Sequence, residues 1–347
     1  MVDRNYCANS FLTFRTIADT NRCFSEKWKP QFYKPIPKEE RYQVWDDADL
    51  ERALAEQMRE LTKDGRAALA LSGGIDSAIL AKFMPKGSKA YTFQCVVPGI
   101  EVVNEVPSAA AYAQECGLEH GVIPIYWEDF EEYAPVLMRH KGAPIHSIEV
   151  QIYKAALKAK RVGFERLIFG ESADVNYGGL NGLLSKDWTI GEFIDRYSYA
   201  SAHHILKEPQ YVLSPFLLYE NDGYFDAHNF LRGFNTRESV GSYTNACSCA
   251  GIELAAPYAN TWMAAPLDLA RIRSGENKYI VREVFKRLYP DFVIPPKLPM
   301  PRATDQWLAG WAGPTREEFW PHCTDHMTGD QKWLVWALER FLNMLDE

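Results

Sequence analysis

The sequence predicts an α/β protein built on a doubly wound, largely parallel sheet, with a mostly helical C-terminal part. Short apolar runs alternate with helix-periodic segments between residues 46 and 170, the order that gives parallel strands joined by crossover helices. The first run is apolar on both faces, as a buried parallel strand is. Two turns, SGG at 72–74 and GES at 170–172, each follow such a run. Both therefore fall at the carboxyl edge of the sheet, where open α/β sheets bind ligands.

Residues 1–45 are expected to be irregular, because Pro30, Pro35 and Pro37 disfavour a long helix. From Asp46, DDADLERALAEQMRELTKD has an acidic first turn and places Leu50, Leu54, Met58 and Leu61 at helical spacing. AALAL (67–71) is the first strand, and a helix follows over 77–84. KAYTFQCVV (89–97) is the second strand, 105–116 a helix stopped by Gly117, and HGVIPIYW (120–127) the third strand. EDFEEYAPVLMRH and SIEVQIYKAALKAKRVG read as helices, and ERLIFG (165–170) as the fourth strand. Beyond about residue 185 the strand signal fades, and a helical layer rich in aromatics is expected to pack on the sheet. The chain thus divides into an irregular segment 1–45, an α/β core 46–185 and a helical region 186–347. The tail segment QKWLVWALERFLNML carries an apolar stripe expected to pack on the body, though a dimer interface has the same pattern.

With 347 residues and 47% hydrophobic content, the chain can fill one large or two smaller cores. Its 38 basic and 46 acidic residues leave a formal charge of −8, which argues against a nucleic-acid partner. No apolar run has the length of a membrane span, and the N-terminus lacks the apolar stretch of a signal peptide. Seven cysteines without regular spacing suggest reduced thiols in a cytoplasmic protein. Cys247 and Cys249 form a C-x-C pair with no second pair to complete a zinc site. His203-His204 reads as surface or structural.

The chemistry concentrates in SGGIDS, residues 72–77. Gly73 and Gly74 let a backbone approach a phosphate, and the following helix offers unpaired N–H groups and the positive end of its dipole. Ser72 and Ser77 add hydroxyls. Asp76 is the unusual member, since a bare carboxylate repels phosphate. It fits a site in which magnesium lies between the two, because hard cations favour carboxylate and phosphate oxygens. No G-x-x-x-x-G-K-[ST] loop occurs.

SGGIDS resembles the pyrophosphate loop of ATP pyrophosphatases of the asparagine synthetase branch, which includes the β-lactam synthetases. FGESADVNYGGL (169–180) is similar to that family's second signature, GEGADELFGGY. VVNEVPSAAAYAQECGLEH, GIELAAPYAN (251–260) and NKYIVREVFKRLYPDFVIPPK (277–297) resemble further family segments, in family order, over about residues 45–310. The resemblance implies the adenine nucleotide alpha hydrolase (HUP-like) sheet and an ATP-dependent, AMP-forming amide ligase. A carboxylate would be adenylated with loss of pyrophosphate and then transferred to ammonia or an amine.

Carried over by resemblance, Leu71, Cys95 and Gly170 would line the adenosine, largely through backbone atoms, and Ser72, Gly73, Gly74 and Ser77 would grip the pyrophosphate. Asp76 and Asp174 would hold Mg2+. Lys297 would stabilise the charge that develops as pyrophosphate leaves, with Lys278 a weaker candidate for that role and a structural role its alternative. Glu171 would attract an ammonium ion or take the proton of the attacking amine.

Three departures bear on function. Val2, not cysteine, follows Met1, and NSFLTFRTI resembles only the end of the glutaminase domain of family synthetases. Glutamine hydrolysis is therefore not expected here; nitrogen would come from ammonia, an amine or a separate glutaminase. Ser172 replaces a glycine and Val175 a glutamate of the second signature. Ala255 and Asn260 replace an arginine and an aspartate, and Pro299-Met300 a Gly-Phe pair. The last changes fall where the acid and amine are recognised, so aspartate is not assumed as substrate, and a small or carrier-linked carboxylate remains open. A non-catalytic nucleotide-binding subunit and a tRNA-modifying ATP pyrophosphatase are the alternatives. The first is favoured by Val175 and Ala255, and opposed by joint retention of Asp76, Glu171, Asp174 and Lys297.

Overall fold

The computed structural model describes residues 1–296 and 298–347. Lys297 lies outside the described residues. The first element is a helix, α1 (Arg4–Phe14), capped by the Asp3 side chain, which accepts from the Tyr6 N–H. This corrects the expectation of an irregular N-terminus. The three prolines all lie beyond residue 29 and constrain nothing upstream, while Cys7, Phe11, Leu12 and Phe14 are wholly buried. The helix gives little amphipathic signal because burial extends nearly all round it and takes in polar residues, Asn9 and Ser10 being as fully buried as its apolar side chains.

A short strand β1 (Tyr42–Val44) precedes α2 (Asp47–Thr62), whose N-cap Asp46 accepts from the Asp49 N–H. Leu50, Leu54 and Met58 are fully buried, and Leu61 packs at the edge of the core. There follow β2 (Ala67–Ala70), α3 (Ile75–Lys82), β3 (Lys89–Cys95), α4 (Val106–Cys116), β4 (Glu119–Ile125), α5 (Trp127–Lys141), α6 (Ile148–Arg161), β5 (Arg166–Ile168) and α7 (Ala173–Asn176). The four strands expected from the sequence are all present, within two residues at most ends. Among the described residues, no helix is long and apolar enough to cross a membrane.

The later region adds a two-residue hairpin, β6 (Glu220–Asn221) and β7 (Tyr224–Phe225), and two short strands, β8 (Glu253–Ala255) and β9 (Thr261–Met263). The region is mostly helical, as expected, with these short strands added to it. β8 pairs parallel with β5, from Arg166 opposite Glu253 to Ile168 opposite Ala255, and β9 pairs with β1. The main sheet therefore runs β4-β3-β2-β5-β8, parallel throughout. A three-residue edge strand with one neighbour needs no long apolar run, which is why its sequence carried no strand signal.

Strand order reverses between β2 and β5, because β3 and β4 extend one way from β2 while β5 and β8 extend the other. The carboxyl ends of those two strands therefore flank the crevice of the doubly wound sheet. The helix Thr236–Ala250 packs across α5 and α6, and the helix Tyr279–Leu288 across α2 and α3.

The tail helix, Gly329–Asp346, buries Trp333, Leu334, Val335, Leu338 and Phe341 against the body. Trp333 is fully buried, packs edge-on against Phe130 and donates its indole N–H to the Ile145 carbonyl at 2.9 Å. Replacing Trp333 by alanine is expected to cost about 3–5 kcal/mol, read as a lower denaturant midpoint. Trp333→Phe should lose less, keeping the ring and giving up the hydrogen bond.

Candidate active site

The SGG turn is preformed by its own hydroxyls. Ser77 Oγ accepts from the Ser72 N–H at 3.0 Å and lies 2.9 Å from Ser72 Oγ, which in turn accepts from the Gly74 N–H at 3.1 Å. Gly74 caps α3, so Asp76 sits in the first turn of that helix, favoured by the dipole. Two buried tyrosines fix the backbone there. Tyr258 donates to the Asp76 carbonyl at 3.1 Å and Tyr289 to the Ala78 carbonyl at 2.6 Å.

From the other side of the crevice comes the GES turn. Gly170 packs so tightly on α3 that a Cβ would lie 3.1 Å from both Asp76 Cβ and the Ser77 nitrogen. The following α7 is tied down by Asn176, which donates to the Tyr258 carbonyl at 2.8 Å, and by Tyr177, whose hydroxyl donates to Thr261 Oγ1 at 2.7 Å. Asp174 projects from α7 toward Asp76. Gly179 makes room for it, since a Cβ there would fall 1.9 Å from Asp174 Oδ1 and 2.7 Å from Lys278 Cδ.

Lys278 joins the two carboxylates. Its Nζ donates to Asp76 at 2.7 and 2.6 Å and lies 3.0 Å from Asp174 Oδ1. Burial alone would lower the lysine pKa, but Asp76 and then Asp174 hold it above the ordinary value. Lys278 caps the helix Tyr279–Leu288 in a left-handed conformation, φ 53°. The sequence marked it as a weaker candidate; the structure puts it at the centre of the site.

The carboxylate pair suits magnesium, which takes one or two protein carboxylates and fills its octahedron with water and phosphate oxygens. Among the described residues no three His, Cys, Asp or Glu side chains group as a metal cage. A metal here would depend on a phosphate ligand for its remaining bonds.

A cleft of about 160 Å3 opens over the carboxyl ends of the strands, lined by Leu71, Ser72, Asp76, Ser77, Gly170, Glu171 and Asp174 together with Phe93 and Tyr243. Gly73 and Gly74 line an adjoining hollow with Lys278 and Arg282. Of the residues expected from the sequence, Cys95 stands apart. It is 2% exposed, roofed by the segment after Met300, and its Sγ donates to the Pro301 carbonyl at 3.4 Å. Its side chain is thereby withdrawn from the cleft, which leaves the expected backbone contact with adenosine as it was, and the Thr92 and Phe93 side chains line that wall.

Two carboxyls in the crevice titrate near neutrality. Burial pushes Glu171 up to about 7, against the Ser239 hydroxyl, which favours the charged form. Tyr243 also faces Glu171, from the helix Thr236–Ala250. Glu105 is also pushed up to about 7 by burial, although its carboxylate accepts from the Gly73 N–H. Neither Glu105 nor Tyr243 was marked from the sequence. Glu105 stands at the N-cap of α4, two residues before Pro107, which gave a hint; Tyr243, on a distant helix, gave none. Val175, which replaces a family glutamate, is 4% exposed and belongs to the core.

The asparagine synthase family model matches residues 47–239, more than half the chain. No curated protein matches it. Similar solved structures include the NH3-dependent NAD synthetase from Campylobacter jejuni subsp. jejuni NCTC 11168, in complex with the nitrate ion. It is 14% identical, with 39% of this chain and 61% of that one covered and a TM-score of 0.25. This chain therefore spans less than two thirds of that protein's length. NMN synthetase from Francisella tularensis is 10% identical over 74% of this chain and 100% of that one, TM-score 0.27. The U34-tRNA thiolase NcsA from Methanococcus maripaludis, with its 4Fe-4S cluster, is 14% identical over 72% and 82%, TM-score 0.26.

Proposed function

The chain belongs to the asparagine synthase family, a family of ATP-using synthetases, and on that premise we propose that it is an AMP-forming ligase joining a carboxylic acid to ammonia or an amine. The observation that carries this reading is the meeting of Asp76, Asp174 and Lys278 at the strand-order reversal, with Glu171 on the same turn as Asp174.

In the first step an oxygen of the acid attacks the α-phosphorus of ATP. The bond from that phosphorus to the bridging oxygen breaks, and pyrophosphate departs with the electron pair. The serine hydroxyls and the first N–H groups of α3 hold the departing phosphates. Lys278 supplies a fixed positive charge beside them. Magnesium, held by Asp76 and Asp174, would neutralise phosphate charge when bound. In the second step the amine nitrogen attacks the acyl carbon of the adenylate, and the bond to AMP breaks. The proton lost by nitrogen passes to the Glu171 carboxylate, placed on the acid side of the cleft.

A base must be ionised to accept that proton. Because the Glu171 pKa is raised to about 7, it is protonated below that value and competent above it. Amide formation is therefore expected to rise with pH through about 7, and Glu171→Gln should remove that limb of the profile. The reading is tested by incubating the protein with ATP, magnesium, ammonium and a panel of acids. Acid-dependent AMP and pyrophosphate are expected; ADP and phosphate would overturn the reading.

A further inference from the structure

Behind Glu171, away from the SGG turn, lies a cavity of about 800 Å3. It shares Gly170, Glu171, Asp174, Tyr243, Leu298 and Met300 with the nucleotide cleft, so a molecule seated in it reaches the reacting centre past Glu171. Its size exceeds what a four-carbon acid fills and falls in the range of sites for larger ligands.

The far wall is rich in hydrogen-bond donors and poor in spare charge. Arg15 donates to His146 Nε2 at 2.7 Å, to the Tyr199 hydroxyl at 2.6 Å and to Glu238 at 3.0 Å. A guanidinium only donates, so His146 Nε2 accepts. Burial and the Arg15 charge hold the His146 pKa well below its usual value, so the ring is neutral and its proton sits on Nδ1. His146 is 6% exposed, and Nδ1 has no hydrogen-bond partner among the described residues; Glu238 Oε1 lies 3.7 Å away, out of reach. Arg15 Nε and Ser172 Oγ are likewise buried without a partner among the described residues, and Ser172 is 4% exposed. Buried polar atoms carry a cost unless something bonds them.

Among the described residues, the interior cations lining the cavity, Arg15 and Arg302, are already neutralised. Glu238, 1% exposed at its side chain, balances Arg15, and Asp330 takes a two-pronged bond from Arg302 at 3.0 and 2.6 Å. Arg196 also lines the cavity but is exposed to solvent, where a charge contributes little. A carboxylate driven into the far wall would lie beside Glu238 with no unpaired buried cation among the described residues to meet it. Hydroxyl and carbonyl oxygens meet the same donors at no such cost.

Backbone strain points to the same place. Arg15 and Ser172 both adopt left-handed conformations, φ 58° and 75°, which L-residues disfavour. Strain of this kind persists where the surroundings and function require it. At position 172 the family pattern has glycine, which would relax the backbone and lose the hydroxyl.

We propose that this cavity seats the acid substrate, and that the acid is an oxygen-rich monocarboxylic acid. Its reacting carboxylate would lie at Glu171, and its hydroxyl or carbonyl tail on Arg15, His146 and Ser172, with no second carboxylate. The proposal rests on the ligase reading above. Its test is separate, because binding is measured without turnover.

Protein saturated with magnesium and a non-hydrolysable α,β-methylene ATP analogue is titrated with D-gluconate and D-glucuronate, and separately with L-aspartate and succinate. The hydroxylated monoacids are expected to bind about tenfold or more tightly than the diacids. Ser172→Gly should raise the thermal midpoint by relieving φ 75° while weakening the monoacids about tenfold, the effect of one lost buried hydrogen bond. Ser172→Ala should weaken them equally without the stability gain. Equal or tighter binding of the diacids, no binding by either set while the analogue binds, or unchanged affinity in both Ser172 variants would overturn the proposal. AMP formation with aspartate would overturn it while leaving the ligase reading intact. ADP formation would sink the ligase reading itself.

Discussion

Asp76→Asn is expected to lower magnesium-dependent AMP formation by about 1,000-fold or more, at the upper end of what loss of one fixed electrostatic group costs in a desolvated site. The substitution keeps the size of the side chain and its place in the first turn of α3, where the tyrosine bonds to the Asp76 and Ala78 carbonyls hold the backbone. What changes is charge. A neutral amide leaves magnesium with one carboxylate in place of two, and leaves Lys278 paired with Asp174 alone. The thermal midpoint checks that the fold survives. A magnesium titration of turnover then separates weakened metal binding, which excess metal restores in part, from loss of the reacting geometry, which it does not. Turnover within tenfold of the unaltered protein would show that Asp76 is not a metal ligand, and the reading of the whole loop would fall with it.

The part of this site visible in the sequence is the part made by short-range chemistry. A buried strand, two glycines and a helix start are contiguous at 67–82, and their meaning depends only on neighbours. The fourth strand and its GES turn were legible for the same reason, and the parallel order followed from alternation. α1 was missed because it is buried nearly all round with polar Asn9 and Ser10 inside, which leaves no apolar stripe, and because the prolines that disfavour a long helix lie well downstream of it. β8 was missed because three edge residues carry too little pattern. Lys278 was seen but ranked below Lys297, which lies outside the described residues, because nothing in a K-x-x-x-R run shows that its lysine meets Asp76 and Asp174 across the fold. Arg15, His146 and Glu238 were wholly illegible. They lie on α1's end, a loop before α6 and the helix Thr236–Ala250, and only the packing of those elements brings them within 3.0 Å of one another in the Arg15 contacts. Ser172 shows the intermediate case. Its replacement of a glycine was plain in the sequence, but the cost of that replacement appears only with φ 75°.

Lys278→Met is expected to cut AMP formation by about 100- to 1,000-fold, and to do so in a way that distinguishes a phosphate-binding cation from a structural one. In the free protein Nζ is 3.0 Å or closer to both carboxylates. It thus stands where two anionic side chains would otherwise repel each other. Removing its charge has two separable consequences. The departing pyrophosphate loses a counter-charge, which lowers the rate of adenylation. The carboxylate pair also becomes a better seat for a divalent ion, so magnesium without nucleotide should raise the thermal midpoint of the variant through linkage, and raise that of the unaltered protein less. Lys278→Arg is not expected to restore the rate. The lysine stem runs within 2.7 Å of where a Gly179 Cβ would lie, and a planar fork needs more width than an ammonium at that point. If Lys278 were only a clasp between α7 and the helix Tyr279–Leu288, stability would fall and adding magnesium would restore both stability and rate together. If instead the rate stays low after magnesium has restored stability, Lys278 acts on the phosphates. A rate within tenfold of the unaltered protein in Lys278→Met would remove it from the chemistry and overturn the central geometric claim of the site.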